Sequence, residues 1–200
     1  METENLIAAL SADTTPPRYP HLRLRLLAGG AVSIALMVLL WGPRPDWSEA
    51  IRTLPVLLKQ TLPLAFALLL ARPLARPVED RPASLRAPLA LMILCGLVWG
   101  GAMIGGGNLW GRTWWICLLS IPALGLPIGG FLFVGLRRRI VVDGGRTGWI
   151  AGLFAGALAA MIYAIHCDDD GPAFYLLWYG AAILLCGLAG RIAGRQLLRL

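Results

Sequence analysis

The chain has 200 residues, of which 58% are hydrophobic and only 14% are charged. Soluble globular domains carry about 25% charged residues, so this composition excludes an ordinary soluble domain and indicates a membrane protein. The net charge of +7 could suggest nucleic-acid binding, but the cations are divided among separate loops, and we expect no direct contact with nucleic acid.

The first 23 residues form the longest polar piece and are predicted to be a cytoplasmic segment (residues 1–23). Leu6, Ile7 and Leu10 fall on one edge of a short helix that ends before a proline pair. A helix of about ten residues is not stable alone in water, so it needs a surface to bind. Its polar face holds three acidic residues and no cation, so anionic lipid would repel it; the face comprises Glu2, Glu4, Asn5 and Asp13. We therefore favour a protein partner with an apolar groove over the membrane surface.

Hydrophobic runs occupy most of the remaining chain, and several reach the roughly 18 to 20 residues that cross a bilayer. They lack the polar stripe of a water-facing helix, which excludes a soluble helical bundle. The predicted fold class is all-α, a polytopic membrane protein with six transmembrane helices in residues 24–200. The predicted spans are 24–42, 54–71, 87–104, 114–135, 148–166 and 173–192.

Arginine and lysine residues alternate between the loops. Three precede span one, four lie between spans two and three, four between spans four and five, and three follow span six. The loops on the other side, together with the outer end of span two, hold four. This positive-inside pattern predicts that both termini are cytoplasmic. The basic side also suits the anionic headgroups of the lipid bilayer.

Two of the four cysteines fall near the outer face. Cys117 lies about one turn inside span four, and Cys167 lies at the outer end of span five. Because a short inner loop joins these spans, they are expected to be antiparallel neighbours, with the thiols within reach of each other. Cys95 and Cys186 fall mid-span, where a thiol is ordinarily a small packing residue. The outer pair remains open to structural packing or a static disulfide, to redox or metal sensing, and to catalysis.

The Cys167 thiol is flanked by His166, Asp168 and Asp169, in a loop that holds no lysine or arginine. These side chains could take part in sensing, and Cys117, Cys167 and His166 could ligate a metal ion. The spacing nevertheless matches no recognised zinc motif. For the two aspartates alone, a solvated turn is the favoured explanation. We expect no resident cofactor, and at most a transient heavy-metal ion.

Three stretches carry a family resemblance. They are TENLIAALSAD before the proline pair, WWICLLSIPALGLPIG in span four, and AIHCDDDGPAFYLLWYG across spans five and six. With the six spans, they resemble the NrsF-like family over essentially the whole chain. These negative regulators of sigma factor F are small anti-sigma factors of the bacterial inner membrane.

The resemblance implies a cytoplasmic segment, here centred on Leu6, Ile7 and Leu10, that holds an extracytoplasmic-function sigma factor. It also implies a pair of periplasmic cysteines, here Cys117 and Cys167, that senses stress such as heavy metals or oxidants. We therefore expect a non-enzymatic regulator of transcription that releases its sigma factor when this pair is modified.

Two other functions compete with this interpretation. A membrane thiol oxidoreductase would need a reactive, exposed cysteine pair, typically C-x-x-C, and the sequence has none. A small metal or solute transporter would need ionisable residues deep in its spans. The spans hold almost none apart from Lys59, near one outer edge.

Overall fold

The computed structural model describes residues 22–75, 85–139 and 141–198. These residues form helices joined by turns and loops, and no strand occurs among them, as the sequence predicted. The predicted N-terminal helix lies outside the described residues, together with the proposed contact residues Leu6, Ile7, Leu10 and Asp13.

Seven helices follow one another along the described ranges. They are α1 (Leu22–Leu40), α2 (Trp47–Ala50), α3 (Leu54–Ala75), α4 (Arg86–Ile104), α5 (Trp114–Leu136), α6 (Gly144–Tyr163) and α7 (Pro172–Leu197). All except α2, a single turn that the sequence did not predict, are long and apolar enough to cross a membrane. The six-span prediction is therefore confirmed for this part of the chain.

The end of α6 differs from the predicted span 148–166, because the helix stops at Tyr163. The backbone N–H groups of His166 and Cys167 both donate to the Tyr163 carbonyl, at 2.9 and 3.2 Å, and close a tight turn. His166 and Cys167 therefore lie in the loop between α6 and α7, residues 164–171, which we call the thiol loop.

A glycine seam joins the two helices that flank this loop, in the halves of α6 and α7 that lie far from it. Gly144, Gly148 and Gly152 on α6 face Gly190 and Gly194 on α7, and a Cβ atom added at Gly194 would lie 2.8 Å from the Gly148 Cα atom. Such contact is possible only where side chains are absent, as at other small-residue interfaces in membranes. The two helices form the tightly packed centre of the bundle, and α6 also contacts α1, α3 and α5.

On one side of α1, a small-residue surface packs against α5. Ser33 Oγ donates to the Leu124 carbonyl of α5 at 2.7 Å, and a Cβ atom added at Gly29 would lie 2.9 Å from the Ile128 Cα atom. The first span is thus held directly against the helix that carries Cys117.

The periphery of the bundle is apolar and exposed, as a lipid-facing surface must be. The clearest case is α4, which packs mainly against α3 and α7 and presents Ile93, Leu97 and Ile104 outward.

Candidate functional site

The thiols of Cys117 and Cys167 are neighbours in the folded chain. Cys117 lies in the first turn of α5, Cys167 lies in the thiol loop, and both are buried. Their Sγ atoms are 3.9 Å apart, and both are free thiols. The structure thus brings together the two cysteines that the sequence placed at similar depth.

Cys167 is the sulfur more ready to ionise. Its pKa is lowered to about 6, first because the Cys117 thiol can donate a hydrogen bond to it, and also because the positive charge of Lys59 is near. Burial acts in the opposite direction. Since the thiolate is the nucleophile and the metal ligand, Cys167 is the reactive member of the pair.

Lys59 of α3 holds the thiol loop in place through hydrogen bonds from its ammonium group. Its side chain is 0% exposed, and its Nζ atom donates to the carbonyls of Cys167 and Asp169, at 2.7 and 2.9 Å, and to Asp170 Oδ1 at 3.1 Å. All three donors of the ammonium group are therefore used. No role was predicted for Lys59 from the sequence, although a lone cation in an apolar span is itself a sign of one.

Arg44 joins the same loop to the segment that follows α1. Its guanidinium is bidentate to Asp46, at 2.7 and 2.8 Å, and also donates to Asp170 at 2.8 Å. Its backbone N–H donates to the Ile165 carbonyl at 3.1 Å. The hydrogen bonds from Arg44 lower the pKa of Asp46, so this ion pair persists at neutral pH.

His166 makes a second attachment to the outer end of α1. Its Nδ1 atom lies 2.9 Å from the Gly42 carbonyl oxygen. Within the described ranges, no group of three His, Cys, Asp or Glu side chains is arranged to hold a metal ion. The ligand role of His166 therefore stays a prediction, and in this structure its ring connects the loop with the segment that follows α1.

The carboxylates of Asp168 and Asp169 attach the loop to the start of α5. Asp168 pairs with the Arg112 guanidinium at 2.7 Å, and Asp169 Oδ2 accepts from the Arg112 backbone N–H and from Thr113 Oγ1, at 3.2 and 3.1 Å. The solvated turn favoured from the sequence therefore does not describe Asp169, which is hydrogen-bonded to the two residues just before α5.

Sequence reasoning missed the cations Arg44, Lys59 and Arg112, which come from three other parts of the chain. A signal was nevertheless present. Four cations break the positive-inside pattern, and these are three of the four. Each pairs with an aspartate of the thiol loop. The exceptions to the topology rule thus mark the site.

Comparison with known proteins gives two kinds of match. A family model, NrsF, described as negative regulator of sigma F, matches residues 10–200. The anti-sigma-F factor NrsF of Caulobacter vibrioides is 33% identical over 222 residues, and the probable anti-sigma-F factor NrsF of Azospira oryzae is 29% identical over 213 residues. Both alignments cover 100% of each chain. No solved structure matches.

Proposed function

Because the chain belongs to the NrsF family of negative regulators of sigma F, we propose that it is an anti-sigma factor of the bacterial inner membrane. It holds an extracytoplasmic-function sigma factor through residues 1–23 and releases it when the Cys117–Cys167 pair is modified from the periplasmic side. It acts as a regulator and not as an enzyme. The observation that carries the proposal is the family match over nearly the whole chain.

The position of α1 supports a signal that crosses the membrane. Its first residue, Leu22, follows the predicted sigma-binding segment, and beyond its last residue, Leu40, the chain contacts the thiol loop. Nineteen helical residues span about 28 Å, close to the thickness of the hydrocarbon core. With the basic loops in the cytoplasm, the thiols face the periplasm at the opposite end of the same helix.

The spacing of the thiols suits a soft metal ion or an oxidant as the signal. Two sulfur ligands at 2.3 Å from a tetrahedral ion lie about 3.8 Å apart, and the sulfur atoms here are 3.9 Å apart. Two thiolates could therefore grip one ion with little movement. A disulfide requires the sulfur atoms to approach by about 2 Å, with two electrons and two protons passing to an external oxidant.

Either change would alter the packing of α1, because both thiols belong to elements that contact α1 or the segment that follows it. Cys167 lies in the loop bonded to Gly42 and Arg44, and Cys117 lies on α5, against which Ser33 packs. A shift from 99% bound to 99% released needs about 5.5 kcal/mol of differential stabilisation. Ligation by two thiolates or formation of a disulfide supplies energies of this order.

The sigma-binding role can be tested with the full-length chain co-expressed with an extracytoplasmic-function sigma factor from the same bacterium. The measurement is the fraction of sigma factor that sediments with membranes. We expect the wild-type chain to retain it and a Leu6→Asp/Leu10→Asp variant to lose it, because the two charges disrupt the apolar edge of the predicted helix.

A matched control is Ala8→Asp/Ala12→Asp, which adds the same charge to the opposite side of that predicted helix and should retain the sigma factor. The binding assignment is wrong if the Leu6→Asp/Leu10→Asp chain retains as much sigma factor as wild type, or if wild type retains none.

A further inference from the structure

A cavity of about 370 Å³ opens between α3, α4, α6 and α7. Its wall is almost entirely apolar and rich in aromatic rings, and includes Phe66, Cys95, Trp99, Tyr175 and Tyr179. Because α4 faces lipid over most of its length, a molecule dissolved in the bilayer can reach this cavity from the side. Concave apolar sites with a few polar groups are the usual form of a small-molecule site.

Two polar atoms in the wall of this cavity have no partner. Among the described residues, the buried side-chain nitrogen and oxygen atoms without a hydrogen bond are Trp99 Nε1 and Tyr179 Oη, and both residues line this cavity. An indole N–H can only donate, and a phenol can donate or accept. A buried donor left unsatisfied is costly and rare in folded proteins, so an acceptor is expected beside each of them.

The two groups come from two different helices that line the cavity, in the half of the bundle nearest the thiols. Trp99 lies five residues before the end of α4, and Tyr179 lies seven residues after the start of α7. These helix ends are on the same side, since Trp178 Nε1 of α7 donates to the Leu109 carbonyl just beyond α4, at 2.7 Å.

We propose that this cavity binds the head group of a membrane quinone. A flat quinone ring fits between aromatic walls and carries carbonyl acceptors at opposite ends, one for Trp99 and one for Tyr179. A hydrocarbon chain would fill the same volume and leave both donors unsatisfied. The site would add a second, lipid-phase input to the sigma-factor switch.

Tyr179 connects this site with the thiol pair. Its ring lies 6.2 Å from the Tyr163 ring and 5.7 Å from Lys59 Nζ, measured to the ring centroids. Its hydroxyl is also near enough to Cys167 to favour the thiolate, although it makes no hydrogen bond of normal geometry. A ligand that draws on this hydroxyl is thus one side chain away from the reactive sulfur.

The test uses the full-length protein in nanodiscs of phosphatidylethanolamine and phosphatidylglycerol, with ubiquinone-1 as the probe in equilibrium dialysis. We expect saturable binding that weakens about five- to tenfold in Trp99→Phe and in Tyr179→Phe, since each loses one hydrogen bond. Neither variant should melt earlier than wild type, because each removes a group that is unpartnered in the free protein.

A steric pair of variants on α4 gives a second readout. Gly96 lines the cavity and Gly100 does not, and a Cβ atom added at either meets no atom within 4 Å. Gly96→Leu should therefore abolish ubiquinone-1 binding without unfolding the protein, whereas Gly100→Leu should bind like wild type.

The proposal is overturned if wild type shows no saturable binding, or if all four variants bind with its affinity. It is also overturned if native mass spectrometry finds a phospholipid held by wild type and lost from Trp99→Phe that ubiquinone-1 does not displace. In that case the carbonyl acceptor is a lipid ester.

Discussion

The ammonium nitrogen of Lys59 lies 2.7 Å from the backbone carbonyl oxygen of Cys167, although 108 residues separate them in the chain. This hydrogen bond joins the second membrane span to the residue that carries the reactive sulfur. Together with the ion pairs from Arg44 and Arg112, this hydrogen bond connects the thiol loop to α3 and to the segments next to α1 and α5.

Replacing Lys59 by methionine should loosen the thiol loop. The change keeps the apolar stem but leaves two carbonyls and one contact of Asp170 without their donor. Removing one partner of a buried ion pair costs about 3–5 kcal/mol. We expect a lower unfolding temperature in detergent and faster alkylation of Cys167.

The matched control for this variant is Arg52→Met, which removes an exposed cation from the same face of the protein. The role of Lys59 in holding the thiol loop is wrong if the two variants have the same unfolding temperature and the same rate of Cys167 alkylation.

The neighbouring glycines of α1 should respond differently to the same substitution. A Cβ atom at Gly29 would lie 2.9 Å from backbone of α5, whereas one at Gly30 meets nothing within 4 Å. Gly29→Leu should push α1 away from α5, lower stability by about 1–3 kcal/mol and weaken release of the sigma factor under stress. Gly30→Leu should behave like wild type in thermal unfolding and in a target-gene reporter. If the two variants have equal unfolding temperatures and equal reporter responses, close packing of α1 on α5 contributes neither to stability nor to release of the sigma factor.

Removal of either outer thiol should uncouple stress from gene induction. Cys117→Ser and Cys167→Ser each leave one sulfur, which can neither chelate an ion with its neighbour nor close a disulfide. We expect a target-gene reporter to remain off when heavy metal or oxidant is added, while sigma-factor retention is preserved.

Cys95→Ser and Cys186→Ser provide the control, because neither residue touches the pair, and both should keep normal induction. Normal induction in Cys117→Ser and Cys167→Ser would instead leave the pair with a purely structural role.

The reactivity of Cys167 should depend on pH with a midpoint near 6. Because the pKa is lowered to about 6, the thiolate predominates above that pH and the unreactive thiol below it. The rate of modification by methyl methanethiosulfonate, followed by mass spectrometry at this residue, should rise across that range.

Cys117→Ala should move this midpoint upward, because it removes the hydrogen bond that contributes most to lowering the pKa. A midpoint that stays the same in this variant would contradict the assigned cause.

The membrane architecture could be predicted from the sequence because span length and loop charge are local properties. The adjacency of Cys117 and Cys167 could also be predicted, since it needed only the depth of each residue and a short connecting loop. The partners of the thiol loop could not, because Arg44, Lys59 and Arg112 reach it from distant parts of the chain. The early end of α6 was missed because the first two residues after it, Ala164 and Ile165, are as apolar as the helix itself.

The burial of Lys59 also has a consequence for biogenesis. The ribosome completes α3 long before it makes the loop that supplies all three hydrogen-bond acceptors. Until then the ammonium group must remain hydrated at the edge of the bilayer, since an uncompensated charge is expensive in hydrocarbon. It can enter its final position only after the last pair of helices has inserted. A chain truncated before the thiol loop would therefore leave the Lys59 ammonium group without any of these three acceptors.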